Sequence, residues 1–253
     1  MKNIKYFLVV FSAIVMLCGV SVGLLTNYKS KNNVDNAPQI ETSVDFSNLT
    51  YSAIGDSITI GACGNRGYTN DYMPNPYPEV VGNILGLKRT NNYGIGGSTV
   101  SSFYAPMCER YKNISLQSNI ISVMGGCNDA REIDLGTIDS FDTSTFMGAY
   151  NVLLTGLLEK YPNAFIFICT LTQNYKQSRP DYNTNTFGYK PVDFYNATLQ
   201  LAEKYNLPVL DCWNLDGIIE NTQTTDGVHP DQIFVNDVLA PHIAQFIKDN
   251  YKK

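Results

Sequence analysis

Histidine is almost missing from this chain: His229 and His242 are the only two among 253 residues. No Cys-x-x-Cys pair accompanies them, so the spacings hold neither a structural nor a catalytic zinc cluster, and no metal is expected. Long basic runs are absent too. With 18 Lys and Arg against 23 Asp and Glu the formal net charge is −5, which argues against a nucleic-acid partner and against attachment to anionic lipid by charge alone. A dinucleotide fingerprint is one glycine short, because Thr99 stands where the third glycine after Gly94 and Gly96 belongs, and no cofactor is expected. What the chain does have is apolar material: 44% of its residues are hydrophobic, ample for one buried core.

Lys2 and Lys5 precede Tyr6 to Leu25, an apolar stretch broken only by small or weakly polar residues. This pattern marks residues 1–25 as a signal anchor or signal peptide. The run exceeds a usual signal-peptide core of roughly 7 to 15 residues and approaches the ~20 that span a bilayer. No Ala-x-Ala site follows, so an uncleaved anchor is favoured over a removed signal; a buried core helix is the bland alternative. Lys29 and Lys31 on the other side weaken any assignment of orientation. None of Val15, Met16 and Leu17 is the small residue a lipoprotein cleavage site needs before Cys18. Residues 26–48 are polar and read as a tether, leaving 49–253 as one globular domain. The expected location is extracytoplasmic: membrane-anchored through the N-terminal segment, or secreted if the signal is cleaved.

Five cysteines fall in that domain, Cys63, Cys108, Cys127, Cys169 and Cys212, an odd number that leaves at least one outside any intrachain pairing. Cys63 with Cys108 is the preferred disulfide in an oxidising compartment, the alternative being that all five stay reduced. Short apolar or β-branched runs at Leu49–Ile54, Thr90–Tyr93, Ser118–Met124, Ala164–Thr170 and Pro208–Leu210 alternate with helix-length segments. That spacing predicts an α/β domain with a parallel sheet covered on both faces. Phe146, Tyr150, Leu153, Leu154, Leu157 and Leu158 recur at helical spacing between the third and fourth runs.

Ser57 lies in Ala53-Ile54-Gly55-Asp56-Ser57-Ile58-Thr59-Ile60-Gly61, directly after the first predicted strand. A serine needs a base to become a nucleophile, an imidazole supplies it, and a carboxylate orients the imidazole. His242 follows Pro241 in a helical-period segment and reads as part of a terminal helix. His229 instead sits in Thr225-Asp226-Gly227-Val228-His229-Pro230, where glycine and proline favour a tight turn that brings Asp226 and the imidazole onto one loop. The bland reading of that loop is a polar turn with Asp226 or Asp231 capping the last helix. A second serine pattern, Gly19-Val20-Ser21-Val22-Gly23, matches a nucleophile elbow but lies inside the apolar N-terminal stretch.

Gly55-Asp56-Ser57, then Gly97 within Gly96-Gly97-Ser98-Thr99, then Gly126-Cys127-Asn128-Asp129, then Asp226-x-x-His229 occur in the order found in SGNH hydrolases, the GDSL-type esterases and lipases. The chain resembles that family from residue 55 to residue 229. The resemblance implies a three-layer α/β/α sandwich, flavodoxin-like, with about five parallel strands. It also implies Ser57, His229 and Asp226 as the catalytic triad, and an oxyanion hole made by the backbone N–H groups of Ser57 and Gly97 and the side-chain amide of Asn128.

Substrate identity is less legible. Seventeen tyrosines stand against one tryptophan, several of them in expected loops, among them Tyr68, Tyr72, Tyr77, Tyr104, Tyr175, Tyr182 and Tyr189. Aromatic rings with hydroxyl tips suit a carbohydrate site. The expected partner is an acylated small molecule or carbohydrate, and the expected reaction is removal of small acyl groups, acetyl above all, from an envelope or extracellular polysaccharide. The loop at residues 171–190, rich in Asn, Thr, Gln and Tyr, favours this over a lipase, lysophospholipase or thioesterase. A catalytically silent glycan-binding module is the alternative from another class.

Overall fold

Each of the five short runs becomes a strand in the computed structural model, which describes residues 44–63, 72–173, 184–215 and 226–252. The strands are β1 (Thr50–Gly55), β2 (Arg89–Gly94), β3 (Ile120–Met124), β4 (Phe165–Cys169) and β5 (Val209–Leu210). They form one parallel sheet in the order β2-β1-β3-β4-β5. Parallel strands need crossover connections, and the helices that supply them cover both faces of the sheet. Central β1 and β3 are buried along their whole length, whereas the edge strand β2 carries the polar run Arg-Thr-Asn-Asn and is part-exposed. The fold is the three-layer α/β/α sandwich that the sequence resemblance implies.

Alternation along the strands divides the core in two. Ile121 and Val123 of β3 point to one face, where helices α3 (Met107–Arg110), α4 (Asp129–Glu132), α5 (Phe146–Lys160) and α6 (Pro191–Lys204) pack. Ile120 and Met124 point to the other, beneath α2 (Tyr77–Leu85), α7 (Gln232–Phe234) and α8 (Ala240–Asn250). Helix α5 starts where Thr145 Oγ1 accepts the N–H of Gly148 at 3.3 Å, and it buries the expected Phe146, Tyr150, Leu153, Leu154 and Leu157. Leu158 ends on the solvent side, 37% exposed.

Two sequence expectations are corrected here. Cys63 packs with Tyr51 and Tyr77 on one face of the sheet, while Cys108 packs with Ile54 and Val100 on the other, so the Cys63–Cys108 disulfide does not form. A sheet thickness separates residues that both follow strands, and two thiols cannot be bridged across it. Tyr77, expected in a loop, is fully buried in α2 with its hydroxyl 3.1 Å from Thr59 Oγ1.

The anchor at 1–25, the tether as far as residue 43, Tyr68, Tyr175 and Tyr182, and residues 174–183 of the polar loop lie outside the described residues. Among the described residues no helix is long and apolar enough to cross a membrane, and no group of three or more His, Cys, Asp or Glu could hold a metal ion.

Candidate active site

Strand register sets the site. Gly55 of β1 pairs with Gly94 of β2 and with Met124 of β3, so three strands end level with one another. The segments that follow them, Asp56-Ser57, Ile95 to Ser98 and Gly125 to Asn128, therefore emerge at one carboxyl edge of the sheet. The order also reverses direction around β1 and β3, the crevice where open α/β sheets bind ligands. Ser57 begins the short helix α1 (Ser57–Ile60), whose cap is Asp56: its carboxylate accepts the N–H of Ile58 at 3.0 Å. A side chain at Gly94 would strike the backbone N of Ile60 at 2.2 Å, so only glycine lets α1 sit against the end of β2.

Asp226 and His229 are joined as the turn predicted. His229 Nδ1 lies 2.6 Å from Asp226 Oδ2, and Asp226 Oδ1 accepts the backbone N–H groups of Val228 and His229, both at 2.9 Å. Partial burial works against ionisation of Asp226, but the backbone N–H of His229, its imidazole and the Val228 N–H outweigh it and hold the carboxyl below its ordinary value. An ionised Asp226 keeps the imidazole proton on Nδ1 and leaves Nε2 with a free lone pair. His242 lies on the exposed face of α8, its Nδ1 donating to the Val238 carbonyl at 2.7 Å, in keeping with a structural role.

Gly97 and Asn128 meet at one cavity of about 170 Å³, which Thr99, Phe103, Tyr104 and Arg131 help to wall; Ser57 and His229 are not among its walls. Gly97 has φ +76, a left-handed conformation that glycine adopts without strain. Asn128 Nδ2 donates to the Ser98 carbonyl at 3.0 Å, which spends one of its two hydrogens and orients the other.

Two further residues hold these parts together, and sequence reasoning did not single out either. Asp129 is fully buried, and its two oxygens accept the N–H groups of Val100 and Ser101, each at 2.9 Å. Burial pushes its carboxyl up, with those same N–H groups working the other way. Arg110, at the end of α3, donates to the carbonyls of Gly55 and Tyr93, to Ser98 Oγ at 2.9 Å and to the Ala105 carbonyl at 3.0 Å. It therefore ties the strand ends before Ser57 and Gly97 to the loop that follows Gly97. Burial pulls Arg110 down to about 10, with Asp56 opposing. Asp129 was readable as the last member of Gly126-Cys127-Asn128-Asp129, whereas Arg110 has no local signal.

The GDSL-like lipase/acylhydrolase family model matches residues 53–233. The chain belongs to that family. Among solved structures, one similar chain is a Lactobacillus plantarum protein, 28% identical, with a TM-score of 0.69 over 81% of this chain and 99% of that one. An aryl esterase from M. smegmatis shares the fold at 16% identity, with a TM-score of 0.60 over 80% of this chain and 100% of that one. A carbohydrate acetylesterase family member from Sinorhizobium meliloti does so at 18% identity, with a TM-score of 0.55 over 79% and 99%. No curated protein sequence matches the chain. Family membership makes this GDSL hydrolase an esterase or acylhydrolase in the broad sense.

Asp56 gives the site a pH signature. Burial raises its carboxyl to about 6; the N–H of Ile58, His229 and Arg110 pull it down, and Asp129 pushes it up. Because the folded value lies above the ordinary 3.8, the native state keeps a proton that the unfolded chain has already released. Stability therefore falls as pH rises from about 4 to about 6, by on the order of 2 kcal/mol, and levels off above. Asp56→Asn retains an oxygen for the Ile58 N–H and cannot titrate. Urea unfolding at pH 4 and pH 7 should show the wild type losing about 2 kcal/mol relative to this variant, and parallel pH dependence in the two proteins would refute the assignment.

Proposed function

We propose that the protein is a serine carboxylester hydrolase that removes small acyl groups, acetyl above all, from an envelope or extracellular carbohydrate. The observation that carries the chemistry is the 2.6 Å bond from Asp226 to His229, in a chain whose Ser57 opens a helix at the carboxyl edge of the sheet. In this reading His229 Nε2 takes the proton of Ser57 Oγ as the oxygen attacks the ester carbonyl carbon. The carbonyl π-bond opens, and the resulting oxyanion receives hydrogen bonds from the N–H groups of Ser57 and Gly97 and from the second amide hydrogen of Asn128. The carbon–oxygen bond to the alcohol then breaks, and His229 returns the proton to the departing oxygen. Water attacks the acyl-serine in the same manner, its proton passing through His229 to Ser57 Oγ as the carboxylic acid leaves.

Small size of the acyl group is supported by the polar loop at residues 171–190, rich in Asn, Thr, Gln and Tyr, which suits a polar substrate better than a long chain. The cavity of about 170 Å³ beside Gly97 and Asn128 has room for part of one sugar ring. Work outside the cytoplasm belongs to the same reading and rests on Lys2, Lys5 and the apolar run from Tyr6 to Leu25.

The test is a fluorophosphonate followed by an ester panel. Peptide mass spectrometry should find the phosphonyl adduct on Ser57, and acetylated sugars should be cleaved in preference to octanoyl and longer esters. An unlabelled Ser57 in folded protein would favour the silent glycan-binding module, and a preference for long chains would favour the lipase or thioesterase reading.

A further inference from the structure

Phe103 and Tyr104 are large rings left 64% and 56% exposed, next to the donors Gly97 and Asn128. Exposed aromatics are common singly, but these two are held in place by a loop that is fastened on both sides of Phe103. The Thr99 N–H donates to the Tyr104 carbonyl at 2.9 Å, the Tyr104 N–H to Thr99 Oγ1 at 3.1 Å, and the Ser102 N–H to the Thr143 carbonyl at 2.8 Å. Ala105 is held at φ +41, a left-handed conformation that is strained for a residue with a Cβ. Its carbonyl is gripped by Ser98 Oγ at 2.7 Å and Arg110 Nε at 3.0 Å. The Tyr104 ring lies alongside Gly97, where an added Cβ would stand 3.4 Å from its Cε1.

We infer that Phe103 and Tyr104 form a stacking platform for the sugar ring of the acylated substrate, with Arg131 and Glu132 in the same cavity wall as hydrogen-bonding partners for its hydroxyl groups. The inference rests on the proposed esterase reading and names the residues that choose the alcohol. A pyranose presents an apolar C–H face to an aromatic ring and a rim of hydroxyls to polar side chains. An alkyl chain laid in the cavity would offer Arg131 and Glu132, both exposed, no hydrogen-bonding partner in place of the water it displaces. A flat aromatic alcohol would stack equally well yet bring no rim of hydroxyls to them.

Hydrolysis of an acetylated methyl glucoside, ethyl acetate, phenyl acetate and an octanoyl ester should be compared in wild type, Tyr104→Phe, Tyr104→Ala and Phe103→Ala. The ratio of kcat/KM for the sugar ester over ethyl acetate should fall about tenfold in each alanine variant and stay near wild type in Tyr104→Phe. An unchanged ratio, or a larger loss on the octanoyl or phenyl ester than on the sugar, overturns the inference. Calorimetric titration of the same acetylated glucoside into Ser57→Ala and Ser57→Ala/Tyr104→Ala separates this inference from the reading beneath it. Binding that needs Tyr104 in a protein whose wild type hydrolyses no ester would leave the platform standing and remove the esterase. Binding indifferent to Tyr104 would remove the platform and leave the esterase.

Discussion

His229→Ala is expected to lower kcat by on the order of 10⁶-fold while the protein stays folded. The imidazole is 22% exposed in its side chain, bonds to Asp226 within its own turn among the described residues, and belongs to neither hydrophobic core cluster, so its removal leaves both intact. No other histidine can take its place, because His242 is the one alternative and lies on α8 with Nδ1 committed to Val238. Without a base, Ser57 Oγ must shed its proton to water in the attacking step, and the donors at Gly97 and Asn128 then act on an oxyanion that seldom forms. Ser57→Ala should show a loss of the same size, and the double variant should lose nothing further, since the two residues act as one unit. Single-turnover rates with an acetyl ester, alongside thermal melting, measure both parts. A His229→Ala protein that keeps most of its activity would end the triad assignment.

Asp226→Asn should reduce kcat by about 10⁴-fold with little change in melting temperature. The substitution separates structure from catalysis, because the turn needs an oxygen acceptor and the chemistry needs a charge. Oδ1 holds the Val228 and His229 N–H groups at 2.9 Å, a task that an asparagine carbonyl performs equally. Oδ2 faces His229 Nδ1 at 2.6 Å, and there an amide NH₂ would donate to Nδ1, move the ring proton to Nε2 and abolish the base. If Asp226→Asn turned over within about tenfold of wild type, its carboxylate would not be the orienting acid.

Legibility in the sequence followed the range of the signal. Strand runs are short local stretches of apolar or β-branched residues and the α5 repeat is a local pattern of period 3.6, and both survived folding almost residue for residue. Asp226 and His229 are three apart on one turn, so their pairing was readable from glycine and proline alone. Arg110 reaches carbonyls and a hydroxyl on three separate segments, with partners up to 55 positions away, and no periodicity announces such a contact. Phe103 and Tyr104 are ordinary aromatics until the strained Ala105 turns their loop toward the cavity. Cys63 and Cys108 failed as a pair because loop position does not reveal which face of the sheet a side chain enters.

By itself, then, the chain's sequence determined the alternation of strands and helices, the segments that carry the site, and the identity of its one turn-borne histidine, since each depends on neighbours a few residues apart. Only the tertiary structure decided that β1, β2 and β3 end level, that Arg110 and Asp129 clamp the loop between Gly97 and Ser101, and that two aromatic rings face the cavity. Those outcomes come from register and close packing, where side chains distant along the chain compete for the same volume and the same hydrogen bonds.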